Sequence, residues 1–163
     1  MMKDIRLQIM LRLYEGSSSL YATLFKFRKK AWGIKKDEFM TYGSGTLGEA
    51  LGHFYLKNGF DVMPKLENHD VFHVLTETGT NIQDEIAMQY LLLGNGKVSL
   101  YLLGMITIGT FFYPECYRLF KEAFAKGRNS QSFYRFEFQN LLEQPLDLLQ
   151  SVLINNKISI VYK

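Results

Sequence analysis

Cysteine occurs once in the 163 residues, at Cys116. A lone cysteine excludes an intrachain disulfide and any cysteine-rich zinc cluster, so the redox compartment is reducing or irrelevant to the fold. An excess of one charge is also missing. The net charge is +3 and 21% of residues are charged, so nucleic acid is not an expected partner. The one basic run, "KFRKK" from Lys26 to Lys30, could touch an anionic membrane or a phosphate, but such a run reads first as a solvated helix face. Long hydrophobic runs are absent too. The longest uncharged stretch before a proline, Val98 to Tyr113, falls short of the roughly 20 residues of a spanning helix. It is expected as a buried core helix, with Gly104 and Gly109 leaving a lipid-facing role open. The N-terminus does not read as a signal peptide, because Asp4, Arg6 and Arg12 interrupt its apolar residues. Repeats, low-complexity tracts and linkers are lacking as well. The expected location is cytoplasmic, with peripheral attachment to the inner face of a membrane as the alternative.

What is present is enough apolar side chain for a core. The hydrophobic fraction is 47%, and a chain of this size buries roughly 70% of its unfolded surface. One domain over residues 1–163 is expected. Helical spacing dominates. Ile5, Leu7, Ile9, Met10, Leu11 and Leu13 predict a first helix ending near Gly16, and "SSSLYATLFKF" a second. Thr46 and Glu49 form a capping-box pair opening a helix whose face carries Leu47, Ala50, Leu51, Phe54 and Tyr55 and which Gly59 closes. "ENHDVFHVLTET" predicts a helix stopped by Gly79, and Asn81 caps the next, "IQDEIAMQYLLL". "GNGK" breaks again before the apolar helix. "PECYRLFKEAFAKG" starts with proline and ends at Gly127. A last long helix through "EFQNLLEQPLDLLQSVLINN" is expected to bend at Pro145, followed by a short tail or strand, "KISIVYK". The fold class is all-α: a single-domain bundle of about six to eight helices.

Chemistry concentrates in "HDVFHVLTETGTNIQDE", His69 to Glu85. Residues four apart stack on one helix face, so His69 and His73 can point at one ion. Asp70 sits about 100° around the axis; it could be a ligand, a base, or an outer residue orienting an imidazole. A turn at "TGT" would fold the following helix back and bring Glu85, in its first turn, against the two histidines. Two imidazoles and a carboxylate suit zinc, iron(II), manganese or cobalt, with positions open for oxygen or substrate. Glu77, four beyond His73, is a competing acid or a surface charge paired with that histidine. His53 is expected as a partly buried, hydrogen-bonded residue. A metal phosphohydrolase of the HD type, using His53 with His69 and Asp70, is a further reading, although it leaves His73 without a role.

The spacing HDxxHx11E, filled by His69, Asp70, His73 and Glu85, resembles the motif of the ubiquinone (coenzyme Q) biosynthesis protein four family. Thr80 and Asn81, Leu103 and Gly104, "AKGR" (Ala125 to Arg128) and "LEQPLDLLQSVL" also look like that family, in a bacterial-type relative. Departures are Glu77 and Asp84, where members usually carry glycine. The resemblance implies a helical fold and a divalent metal, usually taken as zinc, on those four residues. It also implies a place in quinone biosynthesis, either as catalyst, removing the ring carboxyl of a prenylated precursor in favour of hydroxyl, or as a lipid-binding scaffold for the partner enzymes. Asp70 and Glu85 are then the candidate catalytic residues. The implied partners are an isoprenoid-tailed small molecule, quinone-biosynthesis enzymes, a membrane surface and a second copy of the chain. Leu91 to Leu93, Leu100 to Leu103, Met105, Ile106, Phe111 and Phe112 are candidates to line a tunnel for the tail.

Overall fold

A computed structural model describes Arg6, Gln8, Arg12 and residues 30–154. Among the described residues there are seven α-helices and no sheet: α1 Lys36–Phe39, α2 Leu47–Asn58, α3 Glu67–Thr76, α4 Ile82–Gly94, α5 Leu100–Phe112, α6 Tyr117–Asn129 and α7 Leu146–Leu153. Two single 3-10 turns, Pro114–Cys116 and Phe138–Leu141, join the later ones. The chain is all-α, as expected. Of the two helices predicted before residue 30, only Arg6, Gln8 and Arg12 are described, all helical. "SSSLYATLFKF", most of "KFRKK" and "KISIVYK" lie outside the described residues.

The local signals work where they end helices in isolation. The Glu49 amide donates to Thr46 Oγ1 at 3.4 Å. The Glu49 carboxylate accepts in return from the Gly45 amide at 2.6 Å, one residue earlier than in the standard reciprocal pair. Gly59 closes α2 in the left-handed conformation, at φ 67°, which glycine adopts without a Cβ clash. Asn81 caps α4 by accepting from the Asp84 amide at 3.0 Å.

Helix α4 is the pivot of the fold because it is apolar almost all round. Met88, Leu91 and Leu92 join one core cluster with Leu47, Leu51 and Tyr55 of α2 and Val71, Phe72 and Leu75 of α3. Ile82, Ile86 and Ala87 join a second with Met105, Tyr113 and Phe120. Its closest neighbour is α6. A Cβ at Gly127 would collide with the Leu91 carbonyl oxygen, and one at Gly94 with that of Phe124. Gly127 is therefore a crossing point inside α6, not its end; the helix runs on to Asn129.

Three other expectations are corrected. Helix α3 ends at Thr76, and Glu77 makes the left-handed turn at φ 55°; Gly79 does not stop it. Pro145 separates rather than bends: a 3-10 turn ends at Leu141 and α7 begins at Leu146 with Pro145 as its cap residue. The turn between them binds the start of α2, where Leu47 and Gly48 donate to the carbonyls of Gln144 and Leu142 at 2.9 and 2.8 Å. The apolar helix α5 is not buried: only Leu102, Met105 and Gly109 are, while Leu100 and Phe111 are 82% and 80% exposed. Among the described residues no helix is long and apolar enough to cross a membrane.

Candidate metal centre

Helices α3 and α4 form a hairpin joined by five residues, and the candidate site sits at its closed end. His69 and His73, one turn apart on α3, set their rings edge to face with centroids 4.8 Å apart. Their Nε2 atoms lie 3.1 Å from each other. Glu85, near the start of α4, places Oε2 3.2 Å from His69 Nε2 and Oε1 3.1 Å from His73 Nε2. The structure thus brings together three of the four motif residues by their donor atoms, across the gap that the turn was expected to close.

The orientation of His73 is built from several elements. Its Nδ1 donates to the Thr78 carbonyl at 3.1 Å, which leaves the Nε2 lone pair directed at the cluster. Phe54 of α2 stacks on the ring, centroids 5.6 Å apart and planes 20° apart. The end of α3 is held by Lys126 Nζ, which donates to the Thr76 carbonyl at 2.7 Å, and by the Gln150 amide, which donates to the Leu75 carbonyl. A cation on the last carbonyls also suits the negative end of the helix.

Whether the residues fit a metal can be tested on the donors themselves. Two imidazole nitrogens 3.1 Å apart, with His73 Nε2 the acceptor, are bridged either by a proton on His69 Nε2 or by a cation between them. Glu85 Oε2 is buried beside His69 Nε2 at 3.2 Å, a position that favours a positive charge, on the ring or on a bound ion. A tetrahedral zinc with nitrogen and oxygen ligands has edges of about 3.3 Å, close to the 3.1 Å between the two nitrogens and to the distance from each nitrogen to its own oxygen of Glu85. The donor set fits a divalent ion of the zinc, iron(II), manganese or cobalt kind.

The electrostatics agree. Burial pushes the Glu85 carboxyl up, but the charge of His69 and contacts with both rings outweigh it and hold Glu85 well below the usual carboxylate range. Burial lowers His73, yet the bond to Glu85 and its charge leave it raised on balance. Asp70 is raised by burial, over the opposing pull of His69 and of its hydrogen bond from Tyr55. That bond, Tyr55 OH to Asp70 Oδ2 at 2.8 Å, holds one oxygen of a carboxylate that lines the same cavity as the three donors. Tyr55 itself is strongly raised, first by burial and then by Asp70, so its hydroxyl stays a donor.

A cavity of about 430 Å³ opens on the donors, lined by Phe54, Phe60, Met63 and Leu66 on its apolar side and by Tyr55, Asp70, Thr80 and Asp61 among its polar groups. The apolar residues expected to line a tunnel lie elsewhere: Leu91 and Leu92 fill the core, and Leu100 and Phe111 face outward. His53 lies apart from the cluster. Its side chain is 63% exposed, with Nε2 3.9 Å from Glu49 Oε1, and it is not the partly buried residue expected. Glu77 is exposed at the turn, and it is Glu85, not Glu77, that meets His73.

Sequence reasoning missed Tyr55, Thr78 and the apolar wall of Phe60, Met63 and Leu66. Only Tyr55 left a signal: a tyrosine on an otherwise apolar helix face needs a buried partner for its hydroxyl.

A model of the family described as "Coenzyme Q (ubiquinone) biosynthesis protein Coq4" matches residues 62–157, a stretch holding all four motif residues. Among solved structures, the fold is similar to that of a candidate ubiquinone biosynthesis protein from Nostoc punctiforme PCC 73102. The two share 18% identity and a TM-score of 0.59 over 96% of this chain and 82% of that one, a likeness of fold. No curated protein matches the chain significantly.

Proposed function

The chain belongs to the Coq4 family of coenzyme Q (ubiquinone) biosynthesis proteins, and on that premise we propose that it is a metal-dependent protein acting on a prenylated aromatic precursor of a quinone. One observation carries the reading: two imidazole nitrogens 3.1 Å apart, each within 3.2 Å of one oxygen of the Glu85 carboxylate, lie against a cavity whose other wall is apolar.

His69, His73 and Glu85 would hold the ion. When bound, it supplies a Lewis acid for the ring's carboxylate and phenol oxygens. The chain's own residues do the rest. Phe54, Phe60, Met63 and Leu66 exclude water and take the first part of an isoprenoid tail. Asp70 offers a carboxylate at the cavity edge where a substrate proton can be received. Loss of the ring carboxyl as carbon dioxide in favour of hydroxyl is a two-electron oxidation; with dioxygen as the oxidant, reduced to hydrogen peroxide while water supplies the hydroxyl, it is the step this arrangement would serve.

A second reading, a non-catalytic scaffold that presents lipid-tailed substrates to partner enzymes, draws support from the exposed apolar residues Leu100, Leu103, Ile108 and Phe111 of α5. Membrane attachment and self-association belong with it as proposals.

The test is elemental analysis of protein purified after growth with zinc or iron. About one equivalent per chain is expected for a donor set of this kind, and less than about a tenth defeats the site. Glu85→Gln then separates the readings. Accumulation of a carboxylated precursor in cells, with the fold intact, supports the enzyme. Unchanged precursor levels with lowered stability support the scaffold.

A further inference from the structure

We infer that a second copy of this chain covers the exposed face of α5, the two α5 helices crossing antiparallel with Gly104 of each beside Thr107 of the other. The inference does not depend on the metal centre and holds under either reading of function.

Helix α5 carries no charged residue. Its inner residues Leu102, Met105 and Gly109 are buried. Its outer face is a stripe at helical spacing: Leu100, Leu103, Gly104, Thr107, Ile108 and Phe111. By size the stripe reads the same in both directions, two large, two small, two large. Taken from the ends inward, its members also match in exposure. Leu100 and Phe111 are 82% and 80% exposed, and Leu103 and Ile108 are 42% and 37%. Gly104 and Thr107 form the small centre. A two-fold contact needs this symmetry, because residue i meets j while j meets i. The rows Leu100, Gly104, Ile108 and Leu103, Thr107, Phe111 are the four-spaced ridges that interlock when helices pack.

The two glycines of α5 differ in what explains them. A Cβ at Gly109 would collide with the Ile86 side chain of α4. Among the described residues, nothing lies within 4 Å of a Cβ built on Gly104. Glycine inside a helix weakens it, and no contact of this chain requires one there. Close approach of a second helix backbone does. Thr107, the polar member of the stripe, turns its hydroxyl back to the Leu103 carbonyl at 2.8 Å, so a dry contact leaves that hydroxyl satisfied. At about 200 Å² for a fully exposed large apolar side chain, the four large residues and Val98, 71% exposed, offer roughly 600 Å² per copy. Two copies reach the roughly 1,200 Å² at which specific interfaces begin. A lipid surface fits less well, since helices that lie on membranes carry Lys or Arg on their polar face and α5 has neither.

The test is sedimentation equilibrium of the full chain from micromolar to submillimolar concentration. Wild type should approach twice the 19.0 kDa of one chain. Leu100→Lys and Phe111→Glu, both at exposed positions, should each fold, as circular dichroism would show, and stay monomeric. Mixed together they should dimerise, because the new ammonium at position 100 of one copy meets the new carboxylate at position 111 of the other. Gly104→Leu should weaken the wild-type dimer about tenfold or more, as overpacking forces the helices apart. It should unfold no earlier than wild type where both are monomers, since glycine is the poorer helix former. A wild type that stays monomeric overturns the inference; flotation with phosphatidylglycerol vesicles, lost in Phe111→Glu, would then assign the face to lipid. A dimer untouched by Leu100→Lys, two variants that stay monomeric when mixed, or a Gly104→Leu dimer as tight as wild type each overturn it as well.

Discussion

Glu77→Gly should stabilise the protein. Glu77 ends α3 at φ 55°, ψ 33°, a conformation that costs an ordinary L-residue about 1–2 kcal/mol. Glycine escapes that strain but loses more freedom on folding, by about 0.5–1 kcal/mol. The net gain is about 0.5–1 kcal/mol, or roughly 1–4 °C in Tm for a chain of this length. The side chain is exposed at that turn, so no packing is lost. A second contribution must be separated: an acid at a helix C-terminus opposes the dipole by about 0.3–1 kcal/mol. Glu77→Ala removes the charge and keeps the Cβ, and Glu77→Asn keeps a side chain that tolerates the left-handed region. Thermal unfolding followed by circular dichroism should rank Gly above Asn, and Asn above Ala. Should Ala gain as much as Gly, the dihedral plays no part and the strain account is wrong. Metal affinity should hold in all three, because the neighbouring Thr78 carbonyl keeps its bond to His73.

Gly127→Ala, which sets a methyl against the Leu91 carbonyl, should cost about 2–3 kcal/mol because backbone must give way, read as a fall in denaturant midpoint. An unchanged midpoint would show that α4 and α6 do not cross so closely. Metal affinity should rise with pH. In the metal-free chain the raised His73 stabilises the fold at low pH and loses that contribution as pH climbs through its folded value; the depressed Glu85 stabilises it above the carboxylate range and fails only in strong acid. Metal-free stability therefore peaks between about pH 4.5 and 6.5. The ion must displace the His73 proton, so the Tm gap between loaded and chelated protein widens as the pH rises through neutrality. A gap that does not change with pH would remove His73 from the ligands.

The parts of the fold legible in the sequence are those whose cause lies within a turn of chain. Thr46 with Glu49, Gly59 and Asn81 satisfy free helix-end groups locally, and each stands where expected. Failures came where a distant surface decides. Gly127 reads as a terminus on its own, but Leu91 on another helix is what excludes a side chain there. The uncharged run of α5 reads as core, yet α6 already packs closely along α4, and α5 reaches the core only with Leu102, Met105 and Gly109. His53, four residues beyond Glu49, simply points outward with it.

The site was more legible than the fold because its spacing is itself a geometric statement. His69 and His73 share a face by helix period alone. The twelve residues from His73 to Glu85 look like a loose count, but each part of the turn is employed. Glu77 reverses the chain, the Thr78 carbonyl fixes the tautomer of His73, and Asn81 sets where α4 begins. From that cap, the residues beside Glu85 show how narrow the register is. The Asp84 carboxylate lies against Gly79, and the Ile86 side chain packs on Gly109. An acid moved one place either way would turn about 100°, toward the turn or into the second core. Asp84, although an acid in the right turn of the right helix, is therefore not in the donor set, and a spacing of eleven between His73 and Glu85 carries information that composition cannot.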